Sequence, residues 1–266
     1  MQRILGGARL VAALVAALAL VADFDYVQGF TTFAAENWFS YFTTQSAMAA
    51  VVVLTASGAH ALRGGVEPRL MAAVRAVVLS YVVVSGVVFG LIVLESSSQA
   101  YYVEVPWSSR LLHFVIPAYA LLDWTLAPGR PRVTWKAVGW AMLFPVLWCA
   151  FTEVRGPRVG WYPYFFMDPA QVGVPFEIAA WLALVAGVLA GVAALVVALS
   201  RVRPADAAPR ERVRRGGRAA DEAVVDDGIR PVVPQPSPST PRGTTAARRR
   251  DPAPVPGGRG SARPGG

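Results

Sequence analysis

The sequence predicts an all-α fold: a bundle of six membrane-spanning helices over residues 1–203, followed by a disordered, basic, Pro/Arg/Gly-rich tail over 204–266. Three observations carry this. Of the 266 residues, 55% are hydrophobic and 16% charged, against about a quarter charged in a soluble domain. The apolar residues come in long blocks, near the ~20 needed to cross ~30 Å of hydrocarbon. The formal charge of +8 is concentrated beyond residue 200, where 14 arginines stand against seven acidic residues. The apolar part is therefore close to neutral.

Gly6 to Ala22 is apolar apart from Arg9 and is followed by Asp23 and Asp25. A basic start, an apolar middle and Ala17-Leu18-Ala19 fit a signal peptide. The same residues fit a first spanning helix running on to Tyr26, and we take this reading because further spans follow at once. The second segment runs from Trp38 to Leu62 and opens on Asn37-Trp38-Phe39-Ser40-Tyr41-Phe42-Thr43-Thr44-Gln45-Ser46. Polar atoms are costly against lipid, so these should point at other helices or at a pocket. The third, Ala76 to Leu94, contains Gly86 and Gly90, spaced to let a neighbouring helix approach closely. The fourth, Arg110 to Ala127, holds His113, Pro117 and Asp123. The fifth covers Val138 to Phe151. An aromatic loop, Gly160-Trp161-Tyr162-Pro163-Tyr164-Phe165-Phe166, has the composition of a membrane–water interface. The sixth runs from Pro175 to Ser200, with Gly187 and Gly191 again four apart.

Basic residues precede the first segment and occupy the second–third and fourth–fifth loops and the tail; the other three loops are acidic or mixed. The positive-inside rule then predicts a multi-pass protein of the cell membrane with both termini cytoplasmic. The tail lacks the apolar residues to fold alone. Its arginine runs can touch anionic lipid, and no specific nucleic-acid partner is expected. Single Cys149 excludes an intramolecular disulfide, and two distant histidines give no metal motif, so no metal or cofactor is implied.

With that topology the second and fourth segments enter from the same side. Thr43 lies five residues below Trp38, about 8 Å at 1.5 Å per residue, and His113 lies at similar depth below Arg110. A hydroxyl and an imidazole at one level suit a nucleophile and its general base. Equally, Thr43 can bond its own helix and His113 can bridge two helices. Gln45 and Ser46 are candidate oxyanion donors. Asp123, an intramembrane carboxylate, is a supporting candidate, or a residue that pairs with Arg130 or Arg132. The competing class is a non-catalytic membrane protein, a small transporter or a scaffold.

The Asn37–Ser46 block, Leu111-Leu112-His113-Phe114-Val115-Ile116-Pro117 with Leu122-Asp123-Trp124, and Gly160–Phe165 resemble the bacterial Pr-six-Pr integral membrane proteins. These are distantly similar to the eukaryotic androgen-induced and androgen-dependent TFPI-regulating membrane hydrolases. The resemblance spans roughly residues 10–200. It implies a six-helix threonine hydrolase of fatty esters, with membrane lipids around it and a lipid ester as substrate. The nucleophile falls on Thr43, with Thr44 the shifted alternative, and the catalytic histidine on His113. The histidine-to-proline spacing is one residue shorter than in those relatives.

Overall fold

The computed structural model describes residues 1–98, 105–172 and 174–202, all helix, turn and loop. The tail expected over 204–266 lies outside them. The helices are α1 (Gln2–Gln28), α2 (Ala35–Ser40), α3 (Phe42–Leu62), α4 (Arg69–Ser98), α5 (Trp107–Arg110), α6 (Ile116–Leu126), α7 (Lys136–Val159) and α8 (Pro175–Leu199). Of these, α1, α3, α4, α7 and α8 are long and apolar enough to cross a membrane. The fourth expected segment is a composite: α5, a π turn over Leu111–Val115, and α6 contribute 4, 5 and 11 residues.

Three expected boundaries need correction. The second segment is broken at Tyr41, whose ψ of 132° is extended and separates α2 from α3. α4 begins at Arg69, earlier than hydropathy suggested, because Arg75 is buried in ion pairs rather than left at a helix edge. α7 continues eight residues past Phe151 to Val159 and ends at Gly160 in the left-handed region, φ 65°. Polar side chains extend it: Thr152 bonds the Trp148 carbonyl at 2.9 Å, and Arg155 donates to Asn37 Oδ1 at 2.7 Å.

Small residues decide which helices meet. Gly6 on α1 and Gly58 on α3 face one another so closely that a Cβ on either would lie 2.8–2.9 Å from the other's carbonyl oxygen. Gly86 on α4 lies against the carbonyl of His113, and Gly90 against the Phe114 ring. The expected close neighbour of the Gly86–Gly90 face is thus the π turn. Gly187 and Gly191 have no such neighbour; a Cβ there would meet nothing within 4 Å. One apolar cluster joins α3, α4, α6, α7 and α8 around Leu79, Val82, Trp124, Ala137 and Val197; a second joins α1, α2 and α3 to the composite helix through Ala16, Trp38, Ala47, Leu112 and Ile116.

At one end of the bundle four charged groups lock three helices. Arg9 Nε on α1 donates to both oxygens of Asp123 on α6, at 3.1 and 2.9 Å. Arg75 on α4 donates to Asp123 at 2.5 Å and to both oxygens of Glu67 at 2.7 and 2.8 Å. The Arg9, Arg75 and Asp123 side chains are only 3–6% exposed. Two positive and two negative charges make the group neutral, the condition under which ionic groups are tolerated out of water. Arg130 stacks on Trp124, 4.5 Å from the ring centre, and donates to the Leu199 carbonyl at 2.8 Å.

Candidate functional site

The opposite end of the bundle holds a cavity of about 590 Å³, where α1 ends and α3 begins. Its wall is largely apolar, with Val82 and Phe89 from α4 and Leu112 from the π turn. Its polar lining includes Asp23, Thr43, Thr44, Ser109 and His113. The aromatic loop closes over it through Pro163, Tyr164 and Phe165. A mostly apolar pocket with a few convergent polar groups is the usual form of a small-molecule site.

Thr43 sits in the first turn of α3 because the chain breaks at Tyr41. The break leaves the first amides of α3 without helical carbonyl partners. The Tyr164 phenol lies close to that turn. Burial pushes its pKa up, against the smaller opposing influence of the nearby Thr43 hydroxyl and the Thr43 and Phe42 amides. The net shift is upward, so the phenol stays neutral and can also donate. Tyr164 is held in turn by Phe166, stacked at 5.3 Å, with Trp148 at 5.9 Å and Tyr41 at 6.0 Å. Gly156 lets the loop fold back, since any Cβ there would run into the Tyr162 ring.

His113 owes its position to the proline four residues on. Pro117 has no amide hydrogen, so the His113 carbonyl cannot receive its ordinary i+4 bond. The backbone widens into a π turn at this point, a device frequent at functional sites, and that carbonyl faces Gly86. The imidazole stacks on Phe89, with ring centres 4.0 Å apart and 17° between planes. Its Nδ1 is 2.9 Å from the Ser109 carbonyl oxygen. A carbonyl can only accept, so Nδ1 carries the hydrogen and Nε2 is left as the basic nitrogen. Asp23 anchors the same corner, accepting from Ser109 Oγ at 2.6 Å, Ser108 Oγ at 3.2 Å and Trp38 Nε1 at 3.1 Å.

The other sequence candidates lie elsewhere. Gln45 donates back to the Phe39 carbonyl at 2.9 Å, bracing the Tyr41 break. Ser46, 1% exposed, bonds the Phe42 carbonyl at 2.7 Å. Neither is part of the cavity wall. Asp123 belongs to the ionic lock, paired with Arg9 and Arg75. A gap of about 30 Å³ beside it, bounded by Val82, Ala120 and Trp124, has room for a single water. Among the described residues no three His, Cys, Asp or Glu side chains gather as a metal site would require.

Sequence reasoning missed Asp23 and Tyr164 as members of the site. The signal for Asp23 was its place at the end of an apolar run, on the side predicted for Thr43 and His113. For Tyr164 it was the aromatic density of its loop, read only as an interface belt. No protein-family model, curated protein or solved structure matches this chain.

Proposed function

We propose that this protein is a lipid-ester hydrolase of the cell membrane, with Thr43 as nucleophile and His113 as general base. The observation that carries the reading is that Thr43 and His113, 70 residues apart in sequence, line one largely apolar cavity, with the basic nitrogen of His113 left available by the Ser109 bond. In this reading the composite of α5, the π turn and α6 is a sixth crossing. At ~1.5 Å per residue its 20 residues match the hydrocarbon thickness. The arginine-rich turns and both termini face the cytoplasm, and the cavity opens toward the outer leaflet.

Chemistry follows from these two side chains. His113 Nε2 takes the Thr43 hydroxyl proton as Oγ1 attacks the ester carbonyl carbon. The C–O bond to the alcohol breaks, and His113 returns the proton to the departing oxygen. Water then attacks the threonine ester by the reverse proton path and frees the acid. The neutral Tyr164 phenol, beside Thr43, is a donor for the oxyanion, a role for which Gln45 and Ser46 are already committed elsewhere.

The ionic lock weakens the transport alternative. Asp123 is neutralised by two arginines, and the gap beside it is about 30 Å³, whereas a transport path needs a carboxylate reached by water.

A fluorophosphonate probe on the purified protein tests the assignment. Labelling is expected for wild type and Thr44→Ala, and is expected to vanish in Thr43→Ala and His113→Ala. Hydrolysis of a long-chain p-nitrophenyl ester should fall by about 10²–10⁴-fold in His113→Ala. Labelling that persists in both Thr43→Ala and His113→Ala refutes it.

A further inference from the structure

The space around Thr43 does not end at the cavity it shares with His113. A second cavity of about 380 Å³ opens among α3, α4, α7 and α8. Its walls are hydrocarbon and sulfur: Met142, Pro145 and Cys149 from α7, Leu182 and Ala186 from α8, and Phe166 from the loop. The Trp148 indole also faces it, with its N–H already given to the Ser40 carbonyl at 2.9 Å. Thr43, Ser85, Val88 and Tyr164 line both cavities. Apart from the committed Trp148 N–H, the polar side chains of this lining, Thr43, Ser85 and Tyr164, are those shared with the first cavity, and the rest is apolar save the Cys149 thiol.

Such a space fits one polar group attached to one long apolar limb. Resting on the hydrolase reading, we infer that this second cavity is the acyl-chain site and that the alcohol part of the ester occupies the His113 side. Proton bookkeeping gives the direction. The departing alkoxide must be protonated by His113, and His113 lines the first cavity and not the second. The leaving alcohol therefore lies in the first cavity and the acyl limb in the second. The water that completes hydrolysis must then come from the side holding Asp23, Ser109 and His113, which the alcohol has just vacated. In the first step the Thr43 oxygen–carbon bond forms and the ester alkoxy bond breaks. In the second, the bond to water's oxygen forms and the threonine ester breaks, with one proton returning to Thr43. Tyr164 stands where the two cavities join, so its ring fixes where the chain enters. Specificity for the acid is thereby set by α7 and α8, and specificity for the alcohol by α1 and the π turn.

Cys149 is the sole cysteine in the sequence, so it reports on this cavity without engineering. In the full-length protein in maltoside micelles, alkylation of Cys149 by iodoacetamide is followed by mass spectrometry with palmitate or acetate added. At palmitate ten times above its Kd, alkylation should slow about tenfold, as for any site blocked by an occupying ligand, and acetate should have no effect. Independently, Ala186→Phe fills the cavity. It should lower the palmitoyl-to-acetyl ratio of ester hydrolysis at least about tenfold, the scale on which apolar pockets reject excess length. The ratio is taken on one protein sample, so partial misfolding cancels. An alkylation rate unmoved by palmitate, or an unchanged ratio in Ala186→Phe, overturns the inference. Palmitate protection with no hydrolysis of any ester keeps the chain site and removes the hydrolase. Hydrolysis with no protection removes the chain site and keeps the hydrolase.

Discussion

Removing the Asp123 charge should weaken the fold far more than removing the whole Arg9–Asp123 pair. Asp123 accepts three hydrogen bonds from two guanidinium groups in a space where its side chain is 3% exposed. Asp123→Asn keeps one acceptor oxygen but leaves Arg9 and Arg75 facing a single Glu67 carboxylate. Breaking a buried pair by removing one partner costs about 3–5 kcal/mol. At ~2–4 °C per kcal/mol for a chain of this size, the thermal midpoint should fall by roughly 6–20 °C. The double variant Arg9→Leu/Asp123→Leu removes one charge of each sign. Arg75 then still has Glu67, at 2.7 and 2.8 Å, and two buried ions become hydrocarbon. It should lie within about 1 kcal/mol of wild type, since well-packed apolar replacements of buried pairs are often neutral. Thermal unfolding of wild type, Arg9→Leu, Asp123→Leu and the double variant in one detergent gives the coupling energy directly. A double variant as unstable as the sum of the singles would mean that the residues act separately, and the account of the lock would be wrong.

Further expectations rest on separate contacts. Gly86→Ala places a methyl against the His113 carbonyl; it should cost about 1–3 kcal/mol in stability and lower ester hydrolysis, whereas Gly90→Ala, 3.6 Å from the Phe114 ring, should be mild in both assays. Gly58→Val drives α1 from α3 at the Gly6 crossing, and should lower the thermal midpoint and speed proteolysis in α1. Burial raises the Tyr164 phenol above its ordinary 10.0, so the folded chain holds that proton more tightly than the unfolded chain. The stability this contributes is fully present below about pH 10 and is lost as pH climbs through the folded value. Thermal midpoints of wild type and Tyr164→Phe should therefore converge as pH rises above 10, and parallel curves would refute the assignment.

What could be read from the sequence and what could not divide along a physical line. Hydropathy is a local property, and it located α1, α3, α4, α7 and α8 because each is a continuous apolar run. It missed the break at Tyr41 and the last eight residues of α7, where side-chain bonds such as Gln45 to Phe39 and Arg155 to Asn37 decide the backbone. Depth along a helix is also nearly local and predicts one level for Thr43 and His113, which line the same cavity. Pairing is not local. Arg130 and Arg132 are the arginines near Asp123 in sequence, yet its partners are Arg9, 114 residues away, and Arg75, 48 away. A stricter use of the cost of burying charge would have found them. Arg9 lies within an apolar run, Asp123 within another, and each needs an opposite charge at its own depth. With the chain alternating in direction, the start of α1, the start of α4 and the end of α6 all fall at one end of the bundle. The same alternation brings the end of α1, the start of α3 and the π turn together at the other end, as Asp23, Thr43 and His113. The lock and the cavity are thus opposite ends of the same helices. Its role is to hold α1, α4 and α6 in register, so that the π turn, which lacks the His113-to-Pro117 hydrogen bond, has Gly86 and Phe89 fixed beneath it.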